Sequence, residues 1–161
     1  MKYPKYKKVL FCTDFSENAD YAFEFAYGIT KRDEGLLYIL HVIPGNPQEL
    51  LLENFIPGDL KEKIHRVIEE DADIKYKKCY VEKIENGIKF EIVTRSGRED
   101  DEILKFAQDE KVDIIVIGTH GRTGIERVFF GSVAEKVFQR SSIPVFLIPC
   151  KKKLEYSYGK I

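Results

Sequence analysis

Four short runs along the chain are apolar with no polar alternation: residues 9–13, 36–42, 114–117 and Val145–Ile148. Runs of this length, rich in β-branched, aromatic and leucine residues, predict strands buried on both faces of a parallel sheet. A fifth run, 88–94, alternates through Ile88, Phe90 and Ile92 and predicts a strand with one less buried face. Between these runs the period changes to that of a helix. Ala19, Ala22, Phe23, Ala26 and Ile29 fall on one helical face after Ser16, a good N-cap. Leu60, Ile64, Val67 and Ile68 repeat in the same way. Ser96 with Glu99, and Ser132 with Glu135, have capping-box spacing ahead of Ile103, Leu104 and Ala107 and of Val137 and Phe138. The order is β-α-β-α-β-α-β-α-β. It predicts an α/β fold: a single-domain five-stranded parallel sheet with helices on both faces, because parallel crossovers are right-handed. The domain is expected over residues 1–150, followed by a tail over 151–161 that has no periodicity. Residues 44–57 form an irregular stretch, read as a long loop with room for a short helix.

Length and charge narrow the function classes. One domain of 161 residues with 43% hydrophobic residues is enough for a substantial core. The net charge of −1 balances 26 basic against 27 acidic residues, and the run Lys151-Lys152-Lys153 is too short a basic patch for nucleic acid. No apolar run approaches the roughly 20 residues that span a bilayer, and Asp14 interrupts the first run too early for a signal peptide. Three cysteines, Cys12, Cys79 and Cys150, lack ligand spacing and fit free thiols in a reducing compartment, so a cytoplasmic protein without a membrane or nucleic-acid partner is expected.

The chemistry concentrates after the fourth predicted strand. Gly118-Thr119-His120-Gly121-Arg122-Thr123-Gly124 is followed, after six residues, by Gly131-Ser132 at a helix start. Glycines let the backbone take positive φ and bring N–H groups close to an anion, and a helix start adds free N–H groups and the positive end of the dipole. The Ser132 hydroxyl can reach a phosphate oxygen. No Lys follows the glycines as a P-loop requires, and the spacing differs from the dinucleotide fingerprint.

These residues resemble the nucleotide-binding branch of the universal stress protein family. The resemblance is carried by Gly-x2-Gly-x9-Gly-Ser from Gly118 to Ser132 with Val133-Ala134-Glu135-Lys136-Val137 after it. The opening from Lys8 to Ser16, Leu40-His41-Val42-Ile43 and Ser142-Ile143-Pro144-Val145 also match. The resemblance implies a Rossmann-like sheet of order 3-2-1-4-5, a homodimer, and an adenine nucleotide, ATP or AMP, between strands 1 and 4. It implies that Asp14 accepts hydrogen bonds from the ribose and that the Val42 backbone reads the adenine edge, with Cys12 and Thr13 lining that end. Gly118, Gly121, Gly131, Ser132 and Val133 would hold the phosphates, with Arg122 as counter-ion and any magnesium (Mg2+) held through the phosphates and water. Cys12 departs from the Pro of many members.

The expected activity is a nucleotide-dependent stress-response switch rather than a robust enzyme, since the loop offers only Glu126 near a γ-phosphate. The alternatives are a dimeric interaction protein with an empty site and a slow ATPase or autophosphorylating protein. A nucleotidyl-transferring enzyme is disfavoured, because Thr13-Asp14-Phe15-Ser16 replaces the motifs such enzymes carry after strand 1. Val145-Phe146-Leu147-Ile148, without charge, Gly or Pro, is a poor free edge, and a homodimer through it is expected.

Overall fold

The uninterrupted apolar runs become the inner strands. β1 (Lys8–Thr13), β2 (Leu36–Pro44) and β4 (Ile114–Gly118) lie inside β3 (Lys89–Gly97) and β5 (Val145–Ile148). All pairings are parallel and the order is β3-β2-β1-β4-β5, as expected. The structure is a computed structural model and describes residues 3–45, 57–120 and 131–150. The 46–56 part of the irregular stretch and the 151–161 tail therefore lie outside the described residues.

Among the described residues four α-helices cover the sheet: α1 (Glu17–Asp33), α2 (Gly58–Cys79), α3 (Glu99–Asp109) and α4 (Ser132–Arg140). Side chains of a strand alternate between faces, so the sheet divides the core in two. Val9, Phe11, Leu37 and Val116 pack with Phe23 and Ala26 of α1 and with Tyr76 of α2. Leu10, Leu40, Ile115 and Ile117 pack with Ile103 and Phe106 of α3 and with Val137 of α4. The α3 and α4 ends are joined by charge. Asp100, 2% exposed, accepts from Arg98 at 2.9 Å and pairs with Arg140.

Three local expectations give way to tertiary contacts. Ser96 is no cap: it stays in the β3 ladder opposite Ile43, and α3 starts at Glu99 behind Arg98 with no side-chain cap. Ser132 is no cap either. Gly131 takes the extended cap position (φ −67°, ψ 150°), held by its N–H on Thr119 O, so Ser132 becomes the first helical residue. Ser16 does cap α1, accepting from the Ala19 N–H. In α2 the helix forms, but Leu60, Ile64, Val67 and Ile68 are exposed, and burial falls on Ala72 and Tyr76 further along. A helix of 22 residues runs about 33 Å, and among the described residues it enters the core through its C-terminal part, at Ala72 and Tyr76. Ile92 is likewise 41% exposed, because β3 is an edge strand.

Candidate functional site

The connections from β1 lead to β2 on one side, while β4 lies on the other, so strand order reverses between β1 and β4. At such a switch point the crossovers diverge and leave a crevice at the carboxyl ends of the strands. A cavity of about 410 Å³ sits there, within the size range of small-ligand sites. Cys12, Thr13 and Asp14 from the end of β1, Val42 from β2 and Gly118 from β4 line it. Gly131, Ser132 and Val133 at the start of α4 line its other side. Eight of the ten residues singled out from sequence thus share one cavity. Gly121 and Arg122 lie outside the described residues. Sequence reasoning missed Pro44, Glu99 and Ile103, which also line it. Glu99 and Ile103 reach it only because α3 packs beside α4, a contact that no local pattern announces.

Among the described residues, the β2 end has no strand beside it on the β1 side. β1 stops at Thr13 opposite His41, whereas β2 continues beside β3 as far as Pro44 opposite Gly97. The His41 N–H donates to the Tyr76 hydroxyl at 3.1 Å, and that hydroxyl donates to Val93 O on β3, so the His41 amide faces β3. Peptide groups alternate sides along a strand, and those of Val42 therefore face the side that β1 has vacated. Buried Cys12 forms part of the apolar floor, and burial pushes its thiol pKa far up, which makes it a packing group rather than a nucleophile.

Asp14 stands in a tight turn between β1 and α1. Its Oδ1 accepts from the Ser16 N–H at 3.1 Å, and the next residue, Phe15, has φ +61°. A bulky residue in that region costs about 1–3 kcal/mol, which the surroundings must offset. They do so with three aromatic contacts: the Phe15 ring lies 4.6 Å from His41, 5.1 Å from Tyr76 and 6.1 Å from Tyr80, centroid to centroid. The Phe15 N–H donates to the Thr13 hydroxyl at 2.9 Å.

At the opposite end the chain leaves the described region at His120 and returns at Gly131, and both points are anchored. Asn18 Nδ2 donates to His120 O at 2.9 Å, the Thr119 N–H to Ile148 O at 2.8 Å, and the Gly131 N–H to Thr119 O at 2.5 Å. Gly118 and Gly131 do not have positive φ. Gly118 is required instead by close approach, since a Cβ there would lie 2.5 Å from Asn18 Nδ2. With no side-chain cap on α4, the first-turn N–H groups beside Ser132 are presented to the cavity. Among the described residues no group of three or more His, Cys, Asp or Glu could hold a metal ion, and no helix is long and apolar enough to cross a membrane.

The sequence profile of the universal stress protein family matches residues 5–149. The chain is 34% identical over 158 residues to universal stress protein MJ0577 of Methanocaldococcus jannaschii, covering 91% of this chain and 96% of that one. It is 33% identical over 149 residues to universal stress protein MJ0531 of the same organism, covering 92% and 85%. The solved structure of MJ0577 superposes with a TM-score of 0.74 at 31% identity, over 92% of this chain and 99% of that one. A universal stress protein solved in complex with cAMP shares the fold, with a TM-score of 0.58 at 22% identity over 90% and 98%.

Proposed function

The chain belongs to the universal stress protein family, and on that premise we propose that its cavity holds an adenine nucleotide, ATP or AMP, as a nucleotide-dependent switch in the stress response. One observation carries the reading: a single cavity joins the side of β2 at Val42 that β1 leaves open, a carboxylate at Asp14 and a helix start at Ser132 with no side-chain cap. Those are the donors and acceptors that a base, a ribose and a phosphate chain need. The Val42 peptide reads the adenine edge, with Cys12 and Thr13 against the base. Asp14 accepts from the ribose hydroxyls. Gly118, Gly131, Ser132 and Val133 present N–H groups and a hydroxyl to the phosphates. Gly121 and Arg122 extend this set, Arg122 as a counter-ion. Magnesium, when it accompanies ATP, is held by phosphate oxygens and water.

The reading is of a binding switch rather than a fast hydrolase. The described carboxylates in the lining, Asp14 and Glu99, belong to the β1 end and the start of α3, not to the α4 start where a γ-phosphate would need a base. Binding stabilises the nucleotide-bound form by mass action and biases any surface that differs between the two forms. We place that assembly in the cytoplasm, where three free thiols stay reduced, and as a homodimer. β5 is a sheet edge bearing Val145–Ile148, with Phe146 40% exposed, and pairing with the same strand of a second copy would satisfy its outer peptide groups.

Mass spectrometry of the nucleotide released from natively purified protein, followed by calorimetric titration with ATP and AMP, tests the reading. Asp14→Ala is expected to weaken ATP and AMP by the same factor, because the sugar is common to both. Absence of binding by the wild type at about 1 mM nucleotide would sink the reading. Loss of ATP affinity alone in Asp14→Ala would move that carboxylate to the phosphate end.

A further inference from the structure

The cavity occupies the α3/α4 side of the sheet, yet the turn that aims Asp14 is held from the other side. Tyr80, just beyond α2, has no exposed surface and packs in the α1/α2 core against Phe11 and Phe23, at 5.2 and 4.8 Å between ring centroids. It does not line the cavity. Its hydroxyl nevertheless meets the Thr13 hydroxyl at 2.6 Å in a buried bond, and that same Thr13 oxygen accepts the Phe15 N–H. Its ring stacks on Phe15 with an interplanar angle of 21°. Tyr80 therefore grips the residue before Asp14 through a hydrogen bond and the residue after it through its ring. His41 Nδ1 completes the bracket at Thr13 O, 2.8 Å away.

The left-handed Phe15 makes this grip consequential. A bulky side chain leaves that backbone region unless neighbours over-determine it, and relaxation of Phe15 would rotate the Asp14 carboxylate away from its present direction. We propose that Tyr80 is a positioning residue for ribose recognition: through Thr13 and Phe15 it holds the Asp14 carboxylate where the 2′- and 3′-hydroxyls of the nucleotide meet it. This inference rests on the adenine-nucleotide reading of the cavity. It also makes the C-terminal end of α2 part of the binding apparatus, although that end is separated from the ligand by the sheet.

The test uses the full chain and compares ATP with 2′,3′-dideoxy-ATP, which lacks both hydroxyls. Wild type is expected to prefer ATP by about tenfold or more, the worth of hydrogen bonds to a carboxylate. Tyr80→Phe keeps the ring and its stacking and removes only the hydroxyl. It should narrow that preference by roughly three- to tenfold while leaving dideoxy-ATP affinity unchanged. In an Asp14→Ala background the same substitution should cost nothing more, since the group it positions is gone. A merely structural role predicts the opposite pattern, with equal losses for the two nucleotides and losses that add to those of Asp14→Ala. Either result overturns the proposal, as does a wild type that binds both nucleotides equally. A wild type that binds neither instead overturns the nucleotide reading on which the proposal stands. If Tyr80→Phe does not fold, Thr13→Val removes the other hydroxyl of the pair and should narrow the preference likewise, and an unchanged preference there is equally fatal.

Discussion

Gly118→Ala is the smallest change that should disturb both stability and binding. The new methyl carbon would lie 2.5 Å from Asn18 Nδ2, 3.1 Å from Asn18 Cγ and 3.3 Å from Asn18 O. Ordinary contact needs about 3.5 Å, so the amide must retreat by roughly 1 Å. Asn18 is 8% exposed and has little room, and its backbone oxygen lies against the same point. The retreat also breaks the 2.9 Å bond from Asn18 Nδ2 to His120 O, which anchors the chain just before residues 121–130. Overpacking of this kind costs about 1–3 kcal/mol, and the lost hydrogen bond about 1 kcal/mol more. Urea denaturation should therefore show Gly118→Ala less stable by about 2–4 kcal/mol. On the proposed nucleotide reading, ATP affinity measured by calorimetry on the folded variant should fall as well, because the His120 end of the cavity lining has moved. Asn18→Ala alone should cost only the hydrogen bond. Combined with Gly118→Ala it should recover part of the stability by removing the atoms that clash, while the bond to His120 O stays lost. A Gly118→Ala protein as stable as wild type, or a double variant whose losses simply add, would refute the close-approach argument.

Three further outcomes follow from the same geometry. Gly131→Val should reduce ATP affinity more than tenfold, by blocking the approach of phosphate to the α4 start. It should leave the melting temperature within a few degrees, because φ −67° and ψ 150° suit valine; a folded variant with unchanged affinity would contradict it. Phe146→Lys places charge on the β5 edge and removes the 5.8 Å ring contact with Phe25, and sedimentation should show a dimeric wild type giving way to monomer; a dimeric variant would clear this strand of the interface. Hydrogen bonding from Arg98 holds the Asp100 carboxyl down at about 2 despite its burial. Since this folded-state value lies below the unfolded one, the contribution of about 2 kcal/mol is present above pH about 4 and disappears as pH falls through about 2. Thermal melts of wild type and Asp100→Asn should thus differ most above pH about 4 and converge near pH about 2, and a gap constant over that range would exclude the linkage.

Much of the architecture was legible in the chain itself. Unbroken apolar runs mark strands covered on both sides, and the alternation with helical periods leaves a parallel sheet as the arrangement that buries them. β1, β2 and β4 appear within one or two residues of their expected ends, and Val145–Ile148 appears as expected. The glycine and serine positions Gly118, Gly131 and Ser132, singled out in the sequence, line one cavity in the structure. The strand order, by contrast, came from family resemblance, since periodicity says which residues are buried and not which strand lies beside which.

What tertiary structure alone decided is how much of each pattern finds a neighbour. The stripe of Leu60, Ile64, Val67 and Ile68 has perfect helical spacing, yet it is Tyr76 further along that meets the core. Ser96 and Ser132 have capping spacing, but a continuing β3 ladder and the Gly131–Thr119 hydrogen bond move each helix start past them. Gly118 was expected for its free φ and is instead needed because Asn18 leaves no space for a Cβ. Glu99 reaches the cavity, and Tyr80 reaches the Asp14 turn, across 85 and 67 residues of chain counted from Asp14 and Thr13. Local sequence encodes torsional preference and burial tendency, which act over a few residues. Hydrogen bonds and ring contacts between distant segments exist only once the chain has folded, and here they reach residues that line the cavity.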